Sequence, residues 1–265
     1  MPLVLSAQTK LSYEYPRFRW SAELGFEATA GKPVKMPQIR ENKSAYFNPA
    51  YEDDLYYCGF MFDTYSYTRW FVGFKPEYSL NHYFSVAAGV RFMYNNSVFN
   101  SDRDYFLWKV SEAGPTTDYV RIKNFEQNNF YLGIIPAELK IFSSQRDLRV
   151  RQYFTVGLAL NTLINTSTKV NFKNSSMENE YNDMIKSQLQ KPSAFSAQAF
   201  LGMGLKIGRM KNPFGSVEIQ MPINLIKNTH ASSFIDYTPV SFEMTAQIYF
   251  PTGNKKLSYN YRNRR

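Results

Sequence analysis

From Trp20 the chain alternates with period two: Ala22, Leu24, Phe26, Ala28 and Ala30 are apolar, and Ser21, Glu23, Gly25, Glu27 and Thr29 between them are polar or small. Successive side chains of a strand point to opposite faces, so such a segment is a strand with one face in an apolar medium and the other in a polar one. The pattern recurs at Trp70, Val72 and Phe74, and again at Phe84, Val86, Ala88, Val90, Phe92 and Tyr94, with Ser85, Ala87, Gly89 and Arg91 between. Further on it returns at Phe154 to Leu160, Ala197 to Ile207, Val217 to Ile223 and Val240 to Phe250. The stretch from Tyr131 to Phe142 breaks step. Leu132, Ile134 and Pro136 share one parity and Ala137, Leu139 and Ile141 the other, which predicts a β-bulge near Pro136.

These segments make eight strands of roughly 9 to 13 residues, and at ~3.3 Å per residue with a tilt near 40° each spans an apolar band of ~25 Å. Soluble strands average only about 5 to 6 residues. Short connections (Ser79 to His82, Ser143 to Val150, Gly208 to Pro213) alternate with long ones (Gly31 to Tyr67, Asn95 to Asn129, Thr166 to Ala194, Lys227 to Pro239). The expectation is an all-β fold: an eight-stranded antiparallel up-and-down transmembrane β-barrel over residues 17–250, with short periplasmic turns and long extracellular loops. Residues 1–16 precede it as a residual signal segment and periplasmic N-terminus, and 251–265 follow as a basic periplasmic tail.

Composition sharpens this picture. Aromatics make up 17% of the 265 residues, an excess that favours strands. Mean hydropathy is −0.42, and no run of about 18 apolar residues provides a membrane helix, a test to which a barrel is blind. Two histidines, His82 and His230, and one cysteine, Cys58, exclude a clustered His/Cys zinc site and any intrachain disulfide, and neither a metal nor a cofactor is expected. Leu3 to Gln8 reads like the end of a secretory signal peptide whose basic and apolar front lies upstream of the given start.

If the apolar faces point outward, Phe84, Val86, Val90, Phe92, Val156, Leu158, Leu201, Phe242 and Ile248 face lipid. By the same parity Glu23, Glu27, Lys75, Glu77, Arg91, Glu138, Lys140, Lys206, Glu218 and Glu243 point into the lumen, where acids and bases must pair to offset burial. A barrel of this size is filled by side chains. Trp20, Trp70, Tyr78, Tyr83, Tyr94, Tyr153, Tyr249 and Phe250 lie near strand ends, as interfacial aromatics do. The alternative is a soluble lipocalin-like barrel with the same strands turned inside out around a ligand.

Tyr131-Leu132-Gly133-Ile134-Ile135-Pro136-Ala137-Glu138-Leu139-Lys140 resembles the Ile-Pro strand of the PorT-like outer-membrane β-barrel proteins of Bacteroidetes, and Tyr153 to Asn161 and Ala197 to Gly208 resemble the glycine-containing strands that follow it. The resemblance covers about Arg17 to Phe250 and implies an outer-membrane barrel, without implying one activity; some members are associated with protein secretion. Pro251 to Arg265 departs from the family, adding a basic tail after Phe250, the aromatic in the place of an assembly signal.

His230-Ala231-Ser232 with the downstream Glu243 is similar to the His-x-Ser and Glu of eight-stranded lipid A deacylases, which makes an outer-membrane hydrolase the competing function. Parity speaks against it, since Glu243 alternates opposite to the outward Phe242 and Met244 while His230 lies in a polar loop. His82 sits in a short turn without an evident partner. The net charge of +9 gathers at Arg146, Arg149 and Arg151, at Arg209 and Lys211, and in the tail at Lys255, Lys256, Arg262, Arg264 and Arg265. That placement suits anionic headgroups or envelope and secretion-machinery proteins rather than nucleic acid.

Two loops are rich in aromatics: the first, with Tyr46, Tyr51, Tyr56, Tyr57, Cys58, Tyr65 and Tyr67, and the segment Tyr105-Phe106-Leu107-Trp108-Lys109-Val110. They are expected to extend the strands and pack on one another, or to bind an extracellular protein or glycan. Met177 to Gln190 reads as a short helix capped by Asn174-Ser175-Ser176. The expected role is a non-enzymatic structural, adhesive or secretion/assembly component of the outer membrane.

Overall fold

The computed structural model describes residues 17–28, 32–34, 36, 38–41, 65–100, 105–111, 118–144, 148–210, 212–226, 230–236 and 241–250. Its strands are β1 Phe18–Arg19, β2 Ser21–Ala28, β3 Lys32–Pro33, β4 Ile39–Glu41, β5 Tyr65–Phe74, β6 Glu77–Ser79 and β7 Phe84–Asn100. There follow β8 Phe106–Ser111, β9 Asp118–Phe142, β10 Val150–Phe172, helix α1 Glu178–Gln188, β11 Phe195–Arg209, β12 Asn212–Asn224, β13 Ile235–Asp236 and β14 Phe242–Tyr249.

Antiparallel pairing runs β2 to β5, β7, β9, β10, β11, β12 and β14, and β14 returns to β2. The closing seam extends from Phe242 opposite Ala28 to Tyr249 opposite Ser21. This is the expected eight-stranded up-and-down barrel, and closure leaves no sheet edge in the wall. At the end carrying the short turns, β1 and β6 continue β2 and β5 past breaks at Trp20 and Lys75-Pro76 and pair with each other. The β11–β12 turn needs a left-handed backbone at Gly208 (φ +103°), a conformation open to glycine at no steric cost.

The bulge lies where the parity break predicts it. Leu158 faces Ala137 while Leu160 faces Ile134, and on the other side Ala87 faces Glu138 while Gly89 faces Ile135. Pro136 and Ala137 are therefore consecutive outward residues, and the parity of β9 is reversed below them.

Away from the turns the loop expected from Asn95 to Asn129 is largely strand among its described residues, and the one expected from Thr166 begins as strand. β9 has 25 residues and β10 has 23, against the 9 to 13 expected. β7 runs on to Asn100, β8 takes its place beside the upper part of β9, and β4 adds to β8. The period-2 signal fails there because these upper strands bury residues against a local core, whereas the wall exposes its apolar face. Phe106, Trp108, Val120, Ile122, Phe125, Val170 and Phe172 form that core with Ile185 of α1 and with Ala231, Phe234 and Ile235.

The helix is shorter than expected. A 3₁₀ turn, Ser175–Met177, precedes it, and neither element has a side-chain cap. It is held by its Ile185 face and by the Trp108 indole N–H donating to Gln188 Oε1 at 2.8 Å. No helix among the described residues is long and apolar enough to cross a membrane, which says nothing of strands.

Candidate functional site: the barrel interior and its inturned loop

The two faces of the wall separate the residues as parity requires. Phe84, Val86, Val90, Phe92, Val156, Leu158, Leu201, Phe242 and Ile248 all point outward, with 37% to 61% of their surface exposed. Phe84, Val156, Leu201 and Phe242 therefore do not meet in the middle, as an inward-facing lipocalin-like core would require. The ten candidate lumen residues, Glu23, Glu27, Lys75, Glu77, Arg91, Glu138, Lys140, Lys206, Glu218 and Glu243, are all buried, none above 5% exposure.

Nine of those ten, all but Glu27, form a ladder of ion pairs along the barrel axis. Lys206 meets Glu77. Lys140 reaches Glu218 at 2.7 Å, Glu138 at 3.5 Å and Glu77 at 3.6 Å. Lys75 lies 2.8 Å from both Glu23 and Glu138 and 3.8 Å from Glu218. Arg91 then joins Glu23 to Glu243, 2.9 Å from the latter. Hydroxyls and amides take the remaining lone pairs: Tyr153 donates to Glu218 at 2.6 Å, Tyr249 to Glu77 at 2.7 Å, and Ser241 to Glu27 at 2.6 Å. Buried charges persist inside the barrel because they are paired, although Arg91 Nη2 at the upper end of the ladder is buried without a hydrogen bond.

Sequence reasoning missed three cations of this interior. Arg69 pairs with Glu27, its cross-strand partner, and its Nε donates to Asn95 at 2.9 Å. Arg19 and Arg151 are also buried at the turn end. The expectation that Arg151 faces the periplasm is thereby corrected: its guanidinium lies over the Phe142 ring at 4.4 Å. Arg149 and Arg209 are exposed on the turns as expected, and Arg146, Lys211 and the tail lie outside the described residues. The signal for all three inward arginines was parity, since each sits one residue from an outward position.

Two expected girdle residues also change sides. Tyr153 and Tyr249 are inside, 1% and 5% exposed, where their hydroxyls serve the ladder. Trp20, Trp70, Tyr78, Tyr83, Tyr94 and Phe250 do face outward. Trp20 stacks on Phe74, with centroids 5.1 Å apart, and Tyr94 packs on Phe130 at 5.2 Å.

Apolar groups interrupt the polar interior. Phe71, Met93 and Tyr131 form one cluster, and Ile135, Ala159 and Phe200 another. Above them the segment 230–236 turns into the mouth. Gln127, inward on β9, accepts the Ser233 N–H at 2.7 Å and donates to the Ser233 hydroxyl at 2.7 Å, while Asn129 donates to the Ala231 carbonyl at 3.2 Å. Phe234 stacks on Phe125 at 5.2 Å, and β13 pairs with β3. Tyr67, expected in a loop, is buried in β5, and Phe106 and Trp108 are buried in the core beside it, so these aromatics pack on one another. Tyr46, Tyr51, Tyr56, Tyr57 and Cys58 lie outside the described residues.

The candidate triad is not assembled. His230 Nδ1 bonds to Asp236, the Ser232 hydroxyl accepts the backbone N–H groups of Phe234 and Ile235 at 3.2 and 3.1 Å, and Glu243 is the partner of Arg91. Acyl transfer needs the serine hydroxyl on the imidazole and the imidazole on the carboxylate, and each group here is engaged elsewhere. His82 does have a neighbour, contrary to expectation: its Nδ1 lies 3.3 Å from Met210 Sδ. Among the described residues no cluster of metal-ligating side chains occurs.

No protein-family model matches the chain, and no match was found among curated proteins. Among solved structures, the N-terminal β-barrel domain of Pseudomonas aeruginosa OprF aligns over 87% of this chain and 97% of that one, with 12% identity and a TM-score of 0.31. The outer membrane protein OprG of the same organism aligns over 88% and 95%, with 8% identity and a TM-score of 0.41. At these scores the barrel rests on the strand pairing above.

Proposed function

We propose that the chain is a non-enzymatic outer-membrane β-barrel protein that holds a folded cap above the bilayer, as a structural, adhesive or secretion/assembly component. The observation that carries this reading is the inversion of the wall, with its large apolar side chains outside and its ionised groups enclosed. Transferring such an outer surface to water would be costly, whereas in lipid it is satisfied. Short turns then face the periplasm and the strand extensions, α1 and the inturned loop face outward. The filled interior favours a scaffold over a diffusion channel. Membership of the PorT-like barrels of Bacteroidetes belongs to the same proposal.

Cell fractionation tests it. The expected result is sedimentation with the outer membrane, extraction only by detergent, and a folded band on unheated gels that shifts on boiling. A protein soluble without detergent overturns the reading.

A further inference from the structure

The turn end of the barrel has a cationic cleft that the axial ladder does not use. β1 directs Arg19 inward and β10 directs Arg151 inward, and the two line the cleft with Ser79, His82, Ser85 and Phe142. Arg19 and Arg151 are only 4% and 6% exposed. Among the described residues no carboxylate lines the cleft. The acid opposite Arg19 across the β1–β6 pair, Glu77, is committed to Lys206, Lys140 and Tyr249.

Arg19 donates from Nη1 to Ser79 Oγ at 3.1 Å and from Nη2 to the Met210 carbonyl, while its buried Nε–H has no hydrogen-bond partner. Ser79 Oγ accepts from both Arg19 and Ser85, the latter at 3.2 Å, which leaves the Ser79 proton to donate. A buried guanidinium with an unsatisfied N–H is costly, and an anion is the group that best offsets the cost.

We propose that this cleft binds a phosphate group. Guanidinium donors with an adjacent hydroxyl donor approach from more than one plane, which suits a tetrahedral oxyanion. The phosphate is either free or carried by a lipid headgroup of the adjoining leaflet; exposed Arg149 and Arg209 on the neighbouring turns steer either one to the opening. Binding is measured in detergent and is independent of what the opposite end of the barrel does.

The test follows the arginine Nε–Hε resonances of ¹⁵N-labelled protein in an uncharged detergent during titration with inorganic phosphate, against sodium chloride at equal ionic strength. A saturable shift of the Arg19 signal with phosphate alone is expected. S79A is expected to weaken binding about tenfold, the effect of one hydrogen bond to a charged group. R19M is expected to remove the saturable response at Arg151 while keeping the folded gel mobility; S79A carries the test if R19M does not fold. In nanodiscs containing phosphatidylglycerol, loss of the response to added phosphate identifies a lipid headgroup as the occupant, and its persistence identifies free phosphate; either supports the site. A response that does not saturate, or that chloride reproduces, overturns it.

Discussion

Lys75 joins three carboxylates of the ladder, and replacing it tests whether the interior is dry and paired. Its ammonium lies 2.8 Å from Glu23 and from Glu138 and 3.8 Å from Glu218. At an effective dielectric of ~20 each of the closer contacts is worth about 6 kcal/mol of attraction, opposed by several kcal/mol of desolvation for each ion. Lys75→Met removes the attraction and leaves the carboxylates buried. Glu23 retains Arg91, but Glu138 keeps only Lys140 at 3.5 Å and the Thr155 hydroxyl at 3.2 Å. The expected loss is about 3–5 kcal/mol, as for breaking a buried pair from one side. The double variant Lys75→Met/Glu138→Gln removes the orphaned charge and is expected to recover about 1–3 kcal/mol of it. Urea-driven unfolding from lipid vesicles, followed by tryptophan fluorescence and gel mobility, measures both. A single-variant loss below about 1 kcal/mol, or a double variant weaker than the sum of its parts, would show that water reaches Lys75 and would refute the paired interior.

Leu201→Arg places a cation on the outward face and is expected to cost about 2–4 kcal/mol of stability in bilayers if it sits near the midplane; a soluble barrel would accept it at little cost in the same unfolding assay. Gly25→Ala drives a methyl group into the Phe71 ring, so overpacking of about 1–3 kcal/mol is expected by equilibrium unfolding. Phe234→Ala empties the seat between Phe125 and Phe99 and is expected to cost the cap about 3–5 kcal/mol, read as faster hydrogen exchange at 230–236 with wall amides unchanged. In planar bilayers the wild-type chain is expected to give no porin-like conductance, since the lumen is occupied; large steady conductance steps would contradict that.

The barrel wall was legible because lipid on one side and a crowded lumen on the other impose strict period two, and even the bulge at Pro136 was visible as a slip of that period. Where the wall gives way to the cap, the rule that wrote the sequence changes. Ile122 and Phe125 are both buried although three residues apart, because the register slips between Asn171 and Phe172 opposite them. Period two cannot report that, and the segments looked like loops. The ladder's acids follow from parity, whereas Arg69 and Arg19 go unread in the sequence and Arg151 reads as a turn charge. Their parity was readable, and the local turn context masked it. Tyr153 and Tyr249 were assigned by their position along the strand when parity, which put them inside, was the stronger guide. The placement of 230–236 inside the mouth depends on Gln127 and Asn129, more than a hundred residues away in sequence, a pairing that no local pattern carries.

Three of the ladder's pairs join segments distant in sequence. Glu77 finds Lys206 at a separation of 129 residues, Lys140 finds Glu218 at 78, and Lys75 finds Glu138 at 63. A hairpin of adjacent strands entering hydrocarbon alone would therefore carry naked charge, at a penalty it has no local means to offset. In the bilayer setting proposed above, insertion one hairpin at a time is therefore disfavoured, and strands that cross together, each delivering its ion as the cylinder seals, avoid the penalty.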